Sequence, residues 1–222
     1  MVLIDNEQEI LKYLKEVPTG YVTDALRRLK LSGWMDNIYP INNNKKIVGK
    51  AATIRFATKK GLNYLKESFY SLLSRCSKDE ILVVGALGIN AWLFGDNTVR
   101  YAINRGLSGL LVDGCIRDTD RLISEDFPIF CKGASVRPYK DFLEICGFQE
   151  NIICSGTQVK PKDIIVGDSD GVVVIPHEKL TEIIKQIKDI EILEKEQEKI
   201  IRNNCSLDEI KLFLKKKKMK KI

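Results

Sequence analysis

The chain has 222 residues, 44% hydrophobic and 30% charged, the balance of an ordinary globular protein long enough to bury one sizeable core. Its formal net charge of +6 comes from its end: residues 211–222 hold seven lysines and no acid, which leaves the rest at −1 and excludes a basic nucleic-acid face on the body. No apolar run approaches bilayer length, and the opening MVLIDNEQEILKYLK has acids where a secretory signal has cations, so a cytoplasmic protein with no membrane partner is expected.

In chain order, residues 7–16 predict a short amphipathic helix closed by Pro18. A second helix is expected from Thr23 to Leu29, with Thr23 as its cap and Asp24 in its first turn. Ile47 to Thr58 is apolar and β-branched enough for a strand, and Ile81 to Val84 reads as a strand covered on both faces. GALGINAWLFGD (85–96) reads as a loop with three glycines. NTVRYAINRG (97–106) then keeps helical spacing through Val99, Ala102 and Ile103, with Gly106 placed to end the helix. GLLVD (109–113) is a second buried strand, followed by the turn GCIRD (114–118) and a helix over DTDRLISED (118–126). That order implies a parallel pair with a right-handed crossover.

Farther on, IIVGDSDGVVVIP (164–176) is a hairpin turning through Ser169-Asp170-Gly171. A long helix from Glu178 to Arg202 carries an apolar stripe from Leu180 to Ile201, long enough to suggest cover by its own domain or by a neighbouring subunit. The expected architecture is α/β, a layered sandwich with a mixed sheet, formed by one domain over 1–210 with a solvated, frayed basic tail over 211–222.

The six cysteines form no C-x-x-C pair and are expected as reduced thiols, Cys115 among them as a small packing residue. A single histidine, His177, excludes a multi-histidine zinc site within one chain, so a metal here is a hard ion held by oxygen. His177 itself follows Pro176 at a helix start, where a capping role is expected.

The informative spacing is Gly95-Asp96, twenty intervening residues, then Arg117-Asp118. Each acid follows an apolar strand, where α/β sheets gather their ligands. Two carboxylates at neighbouring strand ends can share a divalent ion, and a guanidinium beside them can grip a substrate carboxylate. Taken alone, the same residues can also be read as two helix caps and a surface ion pair.

The segment VVGALGINAWLFGDNTVRYAINRGLSGLLVDGCIRDTDRL resembles the core of the RraA-like family. Asp96, Arg117 and Asp118 match the D-x20-R-D pattern that marks its 4-hydroxy-4-methyl-2-oxoglutarate aldolase branch. TGYVTDALRRL, IVGKAATIRF and VKPKDIIVGDSDGVVVIP are similar to other blocks of the family, in order, over about residues 18 to 202. Lys162 stands where the family generally has glycine.

The resemblance implies a β/β/α sandwich of the swivelling-domain-like type with a long C-terminal helix. It also implies a class II lyase that cleaves 2-oxo acids to pyruvate and decarboxylates oxaloacetate with Mg²⁺ or Mn²⁺. Asp118 would bind the metal directly and Asp96 through water, with Arg117 stabilising charge. Trp92, Leu93, Phe94 and Gly95 would offer backbone to the substrate. A homotrimer or hexamer would bring a neighbour's Glu198, or else Glu194, to the site.

The resemblance also implies an alternative, since the family's namesake is a non-catalytic regulator of a ribonuclease. A Schiff-base mechanism through Lys132, Lys140 or Lys162 is the rival chemistry. Arg137 and Tyr139 are candidates to line the pocket.

Overall fold

The computed structural model describes residues 6–42, 45–59 and 64–219. Two short helices open it, α1 (Glu7–Leu14) and α2 (Thr19–Arg28). The second begins four residues before the expected Thr23. Pro18 sits at the helix cap position with φ suited to it, and the Thr19 amide and hydroxyl are bonded by the Asp168 carboxylate at 2.9 and 2.8 Å. Thr23 lies inside the helix, its hydroxyl donating back to the Thr19 carbonyl.

The main sheet runs β1 (Tyr39–Pro40), β5 (Ile129–Ala134), β4 (Gly109–Ile116), β3 (Glu80–Phe94), β2 (Ile47–Thr58), β9 (Ile164–Asp168), β10 (Gly171–Ile175), with β6 (Leu143–Phe148) also pairing β2. Strands β2 to β5 are parallel neighbours, with α4 (Asp96–Asn104) and α5 (Thr119–Leu122) in the crossovers. The expected hairpin is present as β9–β10, with Asp168 opposite Gly171. A two-stranded ribbon, β7 (Ile152–Cys154) with β8 (Thr157–Val159), lies against β3.

Three apolar clusters result. One is enclosed by inward side chains of the sheet and ribbon, among them Ile47, Val83, Leu111, Phe130 and Ile152. A second packs α3 (Phe69–Ser74), α4 and α5 on the outer face of β2 to β4. The third packs α1, α2 and the long helix α6 (Leu180–Arg202) on β9 and β10. One mixed sheet, curled with the ribbon around an inner core and covered by helices outside, gives the α/β class expected, with the sheet closer to a barrel than to flat layers.

Two further local expectations are corrected. The segment read as a glycine loop continues β3 as far as Phe94. Leu87 and Gly88 both take left-handed φ, 58° and 65°, and after that bulge the strand pairs with β4 again at Ile89, Trp92 and Phe94. Of the two covers left open for the apolar stripe of α6, the chain itself supplies the one from Leu180 to Leu193, while Ile201 at the far end is exposed.

The basic tail is not frayed over its described length. It forms helix α7 (Leu207–Met219), where Phe213 is buried and the Lys217 ammonium bonds Glu194 and Gln197 on α6. Local lysine repulsion forecast fraying; the long-range contacts outweigh it.

Lys162, at the family's glycine position, has φ 74°. Glycine is the residue that takes this conformation without Cβ strain, of about 1–2 kcal/mol for other residues, so the substitution is legible as tolerated strain in a turn away from the site. The described cysteines are all unpaired. Burial pushes the Cys76 thiol up to about 12 and Cys131 to about 11, and raises Cys115, which keeps all three protonated and inert. His177 starts the turn before α6, its amide bonding Asp163 at 3.0 Å and its ring meeting Glu7. No described helix is long and apolar enough to cross a membrane.

Candidate active site

The ends of β3 and β4 bring the predicted residues together. Gly95 caps α4, and Asp96 is its first residue, where an acid complements the helix dipole. Asp118 occupies the cap position of α5 but does not cap it. Its φ of 62° is left-handed, a conformation aspartate tolerates better than most residues, and it turns the carboxylate toward α4 instead. There Oδ2 accepts the Asp96 amide at 3.1 Å. The two-caps reading therefore fails for Asp118: its side chain serves the neighbouring helix, not its own.

Arg117 is fixed at its backbone, its amide donating to the Phe94 carbonyl at 2.9 Å. Its guanidinium lies 3.9 Å above the Trp92 ring, and its Nε stands 3.6 Å from Asp118 Oδ2. The cation–π contact holds the guanidinium over the ring while half of the side chain stays exposed. Gly95 is where these groups converge. A Cβ there would fall 2.6 Å from Asp118 Oδ2 and 3.0 Å from Arg117 Nε.

Asp96 is 8% exposed and held by two guanidiniums, Arg100 Nε at 2.6 Å and Arg121 Nη1 at 3.4 Å; Arg100 also bonds Glu125 at 2.7 Å. Sequence reasoning missed both arginines. The i to i+4 spacing of Asp96 and Arg100 on one helix was the available signal. Of the other proposed substrate-contacting positions, Trp92 gives its amide to the Arg137 carbonyl at 2.8 Å and presents its ring. Leu93 and Phe94 are buried in the outer core.

Asp118 lines one cleft and its chain neighbour Arg117 lines another. One, of about 480 Å³, is lined by Asp96, Asn97, Asp118, Thr119, Asp120 and Arg121. The other, of about 390 Å³, includes Arg117, Trp92, Tyr139 and Lys140 in its walls. Burial raises the Tyr139 hydroxyl pKa, so it is a neutral wall. Lys132 is paired with Asp113 and lines neither cleft, and Lys162 lies in its distant turn. Arg137 stacks on Phe142 at 3.9 Å.

The donor chemistry suits a hard ion. Among the described residues no cluster of three or more His, Cys, Asp and Glu side chains forms, so a single chain offers few ligands. Magnesium-type sites commonly use one or two carboxylates and keep several waters. Both contacts of Asp118 fall on Oδ2, and its side chain lines the acidic cleft. Asp96, with its oxygens on two arginines, fits an indirect role. Glu198 is exposed and pairs with Arg202 at 2.5 Å, while Glu194 is taken up by Lys217.

Paired acids and a stacked arginine thus stand at the carboxyl ends of parallel strands, where α/β sheets gather their ligands. The family model described as RraA-like, Aldolase/RraA, matches residues 19–174, and the chain belongs to this family. A Halalkalibacterium halodurans protein named "Putative 4-hydroxy-4-methyl-2-oxoglutarate aldolase" is 31% identical over 199 residues, covering 89% of this chain and 91% of its own length.

Among solved structures, an uncharacterized protein of Pseudomonas syringae superposes with TM-score 0.80 at 22% identity, covering 92% of this chain and 97% of that one. A Streptomyces coelicolor protein described as an unusual member of the RNase ES inhibitor RraA family gives 0.78 at 26% identity, with coverages of 86% and 96%.

Proposed function

We propose that the chain is a divalent-metal-dependent lyase that cleaves 2-oxo acids such as 4-hydroxy-4-methyl-2-oxoglutarate to pyruvate and decarboxylates oxaloacetate, working in the cytoplasm. The observation that carries this reading is Asp118 turned away from its own helix, with Oδ2 on the first amide of α4, Arg117 Nε 3.6 Å away and the residue lining an acidic cleft. A protein that only binds partners has no need of that arrangement.

Asp118 would hold Mg²⁺ or Mn²⁺, and Asp96 would orient one of its waters. The metal supplies Lewis-acid stabilisation of negative charge on the keto oxygen. Arg117 acts on the same charge from the protein side. When the C3–C4 bond of a 4-hydroxy-2-oxo acid breaks, the C4 hydroxyl gives up its proton to water and becomes a carbonyl, and when oxaloacetate reacts CO2 leaves; in both the electron pair passes into a pyruvate enolate that a planar, permanent cation stabilises until C3 takes a proton from water. Trp92 keeps that cation oriented before substrate arrives, so little reorganisation is left to the reaction.

Pyruvate release from either compound tests the reading. Release from neither, together with specific binding to a ribonuclease, favours the regulator reading that the Streptomyces relative's description brings into play.

A homotrimer or hexamer is part of the proposal, with Glu198 entering a neighbour's site. Asp118→Asn and Glu198→Ala chains, each inactive alone, are expected to regain activity after subunit exchange, in proportion to sites that hold both native residues. Sedimentation as a monomer at micromolar concentration would remove the shared site.

A further inference from the structure

Strand β4 is buried at all eight positions, and Asp113 is its one charged residue, 4% exposed among inward side chains such as Leu111. Burying a carboxylate is costly unless it is paired and bonded, and a buried pair often adds little net stability. Its contacts show what it holds. Oδ2 accepts the amide of Gly88, one of the two left-handed residues of the β3 bulge, at 3.0 Å. Oδ1 lies 3.4 Å from the Lys132 ammonium on β5 and has no hydrogen bond of its own. The Lys132 stem passes over Gly88, its Cε 3.5 Å from where a Cβ would stand.

Two further bonds secure the same stretch of β3. The Cys115 thiol meets the Asn90 side-chain oxygen at 3.4 Å, and the Trp92 amide donates to Arg137. Residues 88, 90 and 92 are thus tied by groups outside the regular ladder, just where Val84 to Phe94 on β3 must run beside the shorter stretch Val112 to Ile116 on β4.

We propose that Asp113 and Lys132 are a positioning pair: they fix the β3 bulge, and so set the register that places the Trp92 ring beneath the Arg117 guanidinium. The pair touches no reacting atom. It acts through the strand, and its consequence for turnover rests on the lyase reading, whereas its consequence for Trp92 does not.

The test uses full-length protein carrying Trp34→Phe, which leaves Trp92 as the single tryptophan of the original two. Asp113→Asn, Lys132→Met, Lys132→Arg and the double Asp113→Leu/Lys132→Met are compared by melting temperature, Trp92 emission with iodide quenching, and pyruvate release. Asp113→Asn, Lys132→Met and the double variant are expected to shift Trp92 emission to the red, increase quenching, and lower kcat on the order of a hundredfold, the scale for a misplacement of about 1 Å. Lys132→Arg restores both signals.

The double variant removes both charges together and keeps the test alive if a single one does not fold. Wild-type Trp92 emission and wild-type kcat in a folded double variant, whatever its melting temperature, overturn the proposal and leave the pair structural. Shifted emission in a protein whose parent releases no pyruvate supports the positioning role while removing the lyase reading.

Discussion

Arg117→Lys is expected to lower kcat on the order of a hundredfold or more while the protein folds normally. Arg117 does its work through shape as well as charge. The guanidinium carbon stands 3.9 Å over the centre of the Trp92 ring, with Nε 3.6 Å from Asp118. A lysine ammonium is a compact, strongly hydrated point charge on a flexible stem; it retains the sign but neither the fork nor the plane. The fold has little at stake, because what anchors position 117 just beyond β4 is its amide bond to Phe94, which lysine keeps. Steady-state kinetics on oxaloacetate with a circular dichroism melt checks both halves. Near-normal turnover would reduce Arg117 to a surface ion-pair residue.

Gly95→Ala is expected to cost a loss of similar order, on the hundredfold scale, from a single methyl group. At φ −138° the backbone is extended and alanine adopts it freely, so strain is not the issue. Space is. The methyl would meet Asp118 Oδ2 at 2.6 Å and Arg117 Nε and Cγ at 3.0 and 3.1 Å, so both functional side chains must move at once. The same kinetics read the effect, and metal affinity is expected to fall with it because the Asp118 carboxylate is displaced. An alanine variant with wild-type kcat and metal affinity would show that the convergence on Gly95 is incidental.

What the sequence made legible was the part governed by strong local signals. Buried strands without alternation, the Ser169-Asp170-Gly171 turn and the stripe of α6 each announce themselves over a few residues. The Asp96 and Arg117-Asp118 spacing was legible because strand ends collect ligands and because it matched a family pattern. The rest depends on contacts distant in sequence. The glycines and Asn90 of 85–94 look like a loop because the bulge at Leu87 and Gly88 breaks strand alternation, and only the ties to β4 and Arg137 show that pairing resumes.

The start of α2 was misplaced because Thr23 is a good cap in isolation, whereas Asp168, far along the chain, caps Thr19. The order in the basic tail depends on Phe213 and Lys217 finding α6, which no lysine count discloses. Asp113 passed as one polar residue ending an apolar strand, and its partners are brought by β3 and β5.

Pyruvate release from oxaloacetate by protein stripped of metal, then resupplied with Mg²⁺ or Mn²⁺, tests the central claim most directly, with Asp118→Asn run alongside. The account predicts no release in chelator, full recovery on adding either ion to the wild-type protein, and no recovery in Asp118→Asn at the same metal concentration. Full activity in excess chelator, from protein verified to contain no metal, would contradict it.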